Sequence, residues 1–382
     1  MRLYRHTSSF WVGRGDEEKV VAAAARRRCS QGSPGRAAAD SGVKVDRTGT
    51  SRAARPGTRA SLPSYLADRD VRPRPDDRPR LPAGPVTDPA AYARSMTPSP
   101  ASSPHTFTSD VLAIEVDGPV ATLWLDRPEK RNAMGPAFWN DLPLAMAAIE
   151  SDPGIRVVVV AARGPHFSVG LDLVAMSGLT GGPESENGAP PSMAARARSA
   201  RAEIARLQAS VTAVADCPVP VIAAVHGYCI GGGVDLIAAC DIRLASADAL
   251  FSVREAKVAI VADIGSLQRL PHIIGKGHVA ELAYTGKDIT AQRAEAIGLV
   301  NQVTDDADAV LAVARQMATE IAANSPMAVQ GTKAVLTASE DRSVAEGLDY
   351  VATWNAGHLA SDDLTEAMVA FMEKRPARFT GR

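Results

Sequence analysis

Cysteine is scarce in this chain, neither sign of charge is in excess, and no apolar run is long enough to cross a bilayer. Of 382 residues only four are cysteine. Cys29, Cys217, Cys229 and Cys240 fall at spacings that fit neither a zinc knuckle nor a redox pair, so they read as separate thiols in a reducing cytoplasm. Cys229 and Cys240 each sit inside an apolar run and read as core packing. Lysine plus arginine number 42 and aspartate plus glutamate 43, a formal net charge of -1. That balance gives no reason to expect a nucleic acid or an anionic membrane as partner of a folded part. No stretch approaches the roughly 20 apolar residues of a membrane span, so a soluble protein is expected. His226 and His272 lack partners at metal-ligand spacing and read as structural. Nothing calls for a metal or a bound redox cofactor.

What the chain does have is a 46% hydrophobic content, concentrated after residue 110. Residues 1–105 are instead rich in Arg, Pro, Ser, Gly and Ala, with Arg26-Arg27-Arg28, Arg72-Pro73-Arg74-Pro75 and the Ser/Pro-rich run from Thr97 to Pro104. Such a composition buries too little apolar surface to offset chain entropy, and a disordered leader is expected. Asp16-Glu17-Glu18 and Asp76-Asp77 interrupt its positive charge, which counts against a nucleic-acid arm and against an acid-poor transit peptide. A start of translation at Met96 is a further possibility that the sequence leaves open.

From Val111 the pattern changes. Val111 to Val116 and Val120 to Leu125 are β-rich runs on either side of Asp117-Gly118 and predict a hairpin. Pro136 to Ile149 has helical spacing, and Ile155 to Ala161 is an aliphatic run suited to a strand buried on both faces. Strands are expected at Val219 to Val225, Ile242 to Ala245 and Leu250 to Val253, with a short helix at Gly231 to Ala239. After Asp263 the chain turns almost wholly helical, through Gly265 to Ile274, Val279 to Tyr284, Ala291 to Ala296, Ala307 to Ala323, Met327 to Thr337 and Ser343 to Leu359. Strand-plus-helix units with a helical tail imply α/β layering. Ser177 to Ser192 is a long Gly/Pro-containing loop, either a lid or a solvated insertion. The helical segment Ala194 to Ala215 after it is placed to wall a cleft.

Two segments are suited to holding a developing oxyanion, because fixed backbone amides do not reorient during reaction. One is Phe167-Ser168-Val169-Gly170-Leu171-Asp172-Leu173, after a buried strand and a Gly-Pro turn. The other is Gly231-Gly232-Gly233-Val234-Asp235, where a helix opens after a strand and leaves free amides at its start. They are followed by Phe251-Ser252-Val253-Arg254-Glu255 and by Ala262-Asp263-Ile264-Gly265-Ser266-Leu267. With Arg127-Pro128-Glu129-Lys130-Arg131-Asn132-Ala133 near the start and Glu373-Lys374-Arg375-Pro376 at the end, these segments resemble those of the crotonase superfamily, the enoyl-CoA hydratase and isomerase family.

The resemblance covers nearly all of residues 110 to 382 and implies a crotonase-type α/β spiral of ββα units over 110–315. It also implies a C-terminal helical trimerisation region over 316–382, a homotrimer or dimer of trimers, and an acyl-CoA thioester as substrate. By the same resemblance the amides of Leu171 and Gly232 form the oxyanion hole, with Val169, Gly170, Asp172 and Leu173 beside the substrate, and Lys130 and Ala133 lie along the CoA moiety. Hydratases of the family typically have Glu at both the Asp235 and Glu255 positions and glycine at position 263. The Asp235, Glu255, Asp263 trio is similar to that of the family's dienoyl-CoA isomerases, which implies conversion of a 3,5-dienoyl-CoA to a 2,4-dienoyl-CoA in the β-oxidation of unsaturated fatty acids. Glu255 is then assigned to carbon 2 and Asp263 to carbon 6, with Asp235 orienting Glu255 and raising its pKa. An acidic cluster suits this chemistry, because like charges push pKa values apart and keep one carboxyl protonated. Three rival expectations remain: hydration of a 2-enoyl-CoA by Asp235 and Glu255, a non-catalytic acyl-CoA-binding protein, and Asp263 serving as N-cap of the helix that follows it.

Overall fold

The computed structural model of the chain describes residues 106–176 and 192–382. The expectations for the leader, Cys29, Met96 and most of the Ser177 to Ser192 loop lie outside those residues. β1 (Leu112–Asp117) and β2 (Val120–Leu125) form the hairpin, with Asp117 paired to Val120 and Gly118 at φ 54°. That left-handed value favours glycine in a two-residue turn. The chain then runs through α1 (Pro136–Glu150) to β3 (Val157–Ala162), and through α2 (Met193–Ala215) to β4 (Val221–Val225). A short β5 (Tyr228–Ile230) leads into α3 (Gly232–Ala238), followed by β6 (Ile242–Ser246) and β7 (Leu250–Ser252). Next come α4 (Ser266–Ile274), α5 (Lys276–Thr285), β8 (Ile289–Thr290), α6 (Ala291–Ala296) and β9 (Gln302–Thr304). The chain closes with α7 (Ala307–Ala322), α8 (Pro326–Ser339), α9 (Val344–His358) and α10 (Asp362–Glu373).

The main sheet has the order β1-β2-β3-β4-β6-β9, parallel from β2 onward with β1 antiparallel at its edge. The second sheet is β5-β7-β8. All six residues of β3 are buried, and its alternation divides the core. Val158 and Val160 face a cluster that includes Leu142 and Met146 of α1 and Leu207 and Val211 of α2. Val157 and Val159 face Val310, Ala314, Ala318 and Ala322 on α7. The i, i+4 spacing of those small residues puts them on one stripe of the helix, which lets α7 lie close to the sheet. Burying a valine contributes roughly 1.5–3 kcal/mol, so β3 is a main contributor to the stability of the layered core.

β5, β8 and β9, of two or three residues each, were not expected from the sequence, whereas the equally short β7 was, from its Leu250 to Val253 run. α10 also lies beyond the expected helices, although Ser361 caps it by accepting from the Leu364 N–H and Asp362 and Asp363 occupy its first turn. α7 runs unbroken across the 315/316 division expected between core and helical region. The last helices are tied to the body and to one another by partly buried polar contacts. On α8, the Lys333 amino group donates to Asp241 Oδ2 at 2.7 Å and to the Val219 carbonyl at 3.1 Å. Asp363 accepts from Ser325 Oγ and from the Thr380 N–H, each at 2.7 Å. Among the described residues, no helix is long and apolar enough to cross a membrane.

Candidate active site

A cavity of about 1110 Å³ opens where the ends of the parallel strands meet α2. Val169, Gly170, Leu171 and Leu173 line it from the segment after β3, and Gly231, Gly232 and Asp235 from the segment at the start of α3. Glu255 and Asp263 open onto the same space. α2 closes one side with Ala197, Ala200, Ile204 and Leu207, an apolar stripe at helical spacing, so the expected wall is present.

The two glycine segments come together through their backbones. Gly170 has φ 81°, and a Cβ there would stand 2.6 Å from the Ile230 carbonyl oxygen and 3.3 Å from the Gly232 nitrogen. Gly231 has φ 52°, and only a residue without a side chain adopts that value freely. Its missing Cβ leaves room for Glu255, whose Oε1 would lie 3.3 Å away from it. The surrounding peptide groups are engaged. The Gly170 carbonyl accepts from the Met134 N–H at 2.8 Å, the Asp172 N–H donates to the Met134 carbonyl at 3.0 Å, and the Gly231 N–H donates to the Ser252 carbonyl at 2.9 Å. The Leu171 and Gly232 N–H groups donate to no other described residue, which leaves both free for an oxygen in the cavity.

The three acids have different environments. Asp235 is 1% exposed, and its Oδ1 accepts from the Ser266 N–H at 2.6 Å. Burial pushes its carboxyl up to about 6, against the pull of the Ser266 amide. Glu255 heads a 3-10 turn after β7, and its Oε2 is buried with no hydrogen-bond partner. Burial, reinforced by the charges of Asp235 and Asp263, pushes it up to about 7. Burial also raises Asp263 above the usual carboxylate range. Asp263 is not the N-cap of α4. Gly265 holds that position with no side-chain cap, and it is Asp235, from α3, that satisfies the first amide of α4. The Asp263 backbone is held instead by Gln208 of α2, whose Nε2 donates to its carbonyl at 2.6 Å. No other described side chain donates to its carboxylate.

Other expected residues take different places. Val169 and Leu173 line the cavity, whereas Asp172 does not. Its Oδ2 accepts from Arg127 Nη1 at 3.0 Å and its Oδ1 from the Ala175 N–H, and these partners, the Ala175 amide first, lower its pKa. Lys130 is exposed at the end of a 3-10 turn and Ala133 is half-buried. Neither reaches the cavity. Asn132 of that motif is buried, 4% exposed. Its Oδ1 accepts from the Arg127 N–H, and its Nδ2 donates to the carbonyls of Arg163 and His166. Arg131 and Asn132 both hold left-handed backbone, at φ 52° and 54°. Sequence reading passed over Asn132, Arg127 and Gln208; Asn is several-fold enriched among non-glycine residues at positive φ, which is the one local signal for Asn132. His226 Nε2 lies 2.8 Å from the Gly164 carbonyl, outside the cavity lining.

The profile of the family described as enoyl-CoA hydratase/isomerase matches residues 115–382. A peroxisomal delta(3,5)-delta(2,4)-dienoyl-CoA isomerase of Arabidopsis thaliana is 43% identical over 275 residues, 71% of this chain and 96% of that protein. A mitochondrial protein of the same name from Rattus norvegicus is 45% identical over 255 residues, 66% of this chain and 76% of that one. Among solved structures, an enoyl-CoA hydratase from Bacillus anthracis aligns with a TM-score of 0.64 at 29% identity, covering 72% of this chain and all of that one. The compartments of the named relatives, peroxisomal and mitochondrial, overturn the cytoplasmic location expected from the thiols. The physical reason is simple: unpaired cysteines argue against an oxidising compartment but do not distinguish one reducing compartment from another.

Proposed function

The chain belongs to the enoyl-CoA hydratase/isomerase family, and on that premise we propose that it isomerises a 3,5-dienoyl-CoA to a 2,4-dienoyl-CoA. The thioester oxygen sits between the Leu171 and Gly232 amides. Ionised Glu255 takes a proton from carbon 2, and the electron pair spreads through the diene onto the thioester oxygen, where the two amides stabilise the charge. Protonated Asp263 then delivers a proton to carbon 6. The double bonds move from 3,5 to 2,4, leaving Glu255 protonated and Asp263 ionised until solvent exchange resets them. A base and an acid are needed at once near neutral pH, and pKa values raised by burial in one acidic cluster favour that mixed state.

The observation that carries this reading is that Asp263 opens onto the same cavity as Glu255 while Asp235 takes over the capping of α4. Hydration by Asp235 and Glu255 is less well supported, because one Asp235 oxygen is already committed to the Ser266 amide. The deciding experiment offers the purified protein a 3,5-dienoyl-CoA and a 2-enoyl-CoA and follows absorbance. Growth of the conjugated 2,4-diene is expected; rapid hydration without isomerisation would overturn the assignment. We further propose that copies of the chain associate through the C-terminal helices. Leu336, Leu348, Leu359, Met368 and Phe371 on α8, α9, α10 and the turn between α9 and α10 are exposed by 60% or more, a density of apolar surface typical of an interface.

A further inference from the structure

Ser168 is 0% exposed, belongs to the first amide-bearing segment where it bridges to β5, and has no part in the proton transfers. Its hydroxyl donates to the Asn132 carbonyl at 2.8 Å. The same oxygen accepts from the Gly170 N–H at 3.0 Å. Its backbone N–H donates to the Tyr228 carbonyl at 2.8 Å, and its carbonyl accepts from the Ile230 N–H at 3.0 Å, so its main chain is bridged to β5, the strand that leads into Gly231-Gly232. Its Cβ stands 3.3 Å from where a Gly233 side chain would begin. One residue thus grips the Leu171 segment through its hydroxyl and the Gly232 segment through its backbone.

We propose that Ser168 is a positioning residue of the oxyanion hole, whose hydroxyl occupies the Gly170 amide so that the thioester oxygen meets the Leu171 and Gly232 amides alone. The inference rests on reading those two amides as the oxyanion hole. Without the hydroxyl, the Gly170 N–H has no acceptor in a buried setting and turns toward whatever oxygen is near, water or the thioester itself. Gly170, at φ 81° and with no Cβ, offers little resistance to that rotation. The Gly170 carbonyl stays anchored by the Met134 N–H, so the adjoining Gly170-Leu171 peptide pivots about that bond, and the donor geometry that matters in the transition state is lost while the cavity keeps its shape.

The test compares the wild-type protein with Ser168→Ala and Ser168→Cys, the latter similar in size with a weaker donor and acceptor. Two quantities are read: kcat and KM for a 3,5-dienoyl-CoA, and the long-wavelength shift in absorbance of a 2,4-dienoyl-CoA on binding, which reports polarisation of its thioester carbonyl. For Ser168→Ala, kcat is expected to fall about tenfold to a hundredfold with KM changed by no more than about threefold, and the shift to shrink. Ser168→Cys is expected to fall between the two, and it carries the test alone if Ser168→Ala does not fold. A folded variant with kcat within about twofold of wild type and an unchanged shift overturns the inference. So does a loss of turnover that follows only the loss of folded protein, with the shift intact. If the wild-type protein gives no shift on binding, the assignment of the two amides fails and the role of Ser168 with it.

Discussion

On the amide side of the cavity, the peptide groups flanking Leu171 and Gly232 are bound to Met134, Ser168 and Ser252. On the acid side, Glu255 keeps one oxygen buried without a partner, and no other described side chain donates to the Asp263 carboxylate. The amides form a fixed array of dipoles with no titration of their own, so their contribution is set when the chain folds. The carboxyls are under-satisfied and raised in pKa, so their contribution depends on which of them holds a proton. Charge stabilisation gains from rigidity, whereas proton transfer needs groups that are not already committed to a partner. Asp235 stands on the border, an acid by chemistry but bound to the Ser266 amide.

The sharpest way to break this contrast is Glu255→Gln, which keeps the shape and removes the base. Isomerisation should fall on the order of 10³-fold, and a smaller loss than tenfold would move the base elsewhere. Next, Asp263→Asn should cost roughly 10²-fold in isomerisation while deuterium exchange at carbon 2, measured in heavy water, persists. Loss of both together would show that the two acids do not act at separate ends of the diene.

Asp235→Asn keeps an acceptor for Ser266 but removes a negative neighbour of Glu255. The rising limb of the pH–rate profile, expected near pH 7 from Glu255, should move to lower pH. Stability gives an independent reading. Asp235 and Glu255 are both raised in the folded state, to about 6 and about 7, so the stabilisation they give is complete below the unfolded carboxyl range near pH 4. It is lost as pH rises through 6 and 7. Urea denaturation should show that decline reduced in Asp235→Asn, by on the order of 1 to 3 kcal/mol between pH 4 and pH 7. The smallest effect is expected of Gln208→Ala, which removes one exposed side-chain hydrogen bond from the Asp263 carbonyl. Isomerisation should drop a few-fold, with carbon-2 exchange unchanged in the same deuterium assay.

The sequence made the acids legible because each sits in a short motif whose neighbours carry information: three glycines before Asp235, a β-run before Glu255, a helix start after Asp263. What it hid were contacts between motifs. A local reading kept Asp263, the nearest acid, as a rival candidate for the cap of α4, whereas the Ser266 amide at its start is met by Asp235, 31 residues before Ser266. Asp172 looked like part of the substrate site and is the partner of Arg127, 45 residues away. The layered strands and most helices followed from periodicity, but β5, which sets the approach of Gly232 to Gly170, is three residues long and leaves no pattern to read.

Lys333 shows how far the last helices enter the rest of the protein. Its side chain is 9% exposed and reaches from α8 to Asp241, whose carboxylate also accepts from the first amide of β4 at 2.7 Å. The Asp241 side chain is 32% exposed, so water screens the pair and losing the Lys333 charge costs about 1 kcal/mol, nearer a surface pair than a buried one. A protease cut before α8 therefore would not trim an appendage from a finished enzyme. It would take from the Val219 carbonyl and the Asp241 carboxylate the amino group they share at the entry to the central strands, so as the ribosome releases this chain that contact forms only once residue 333 has emerged.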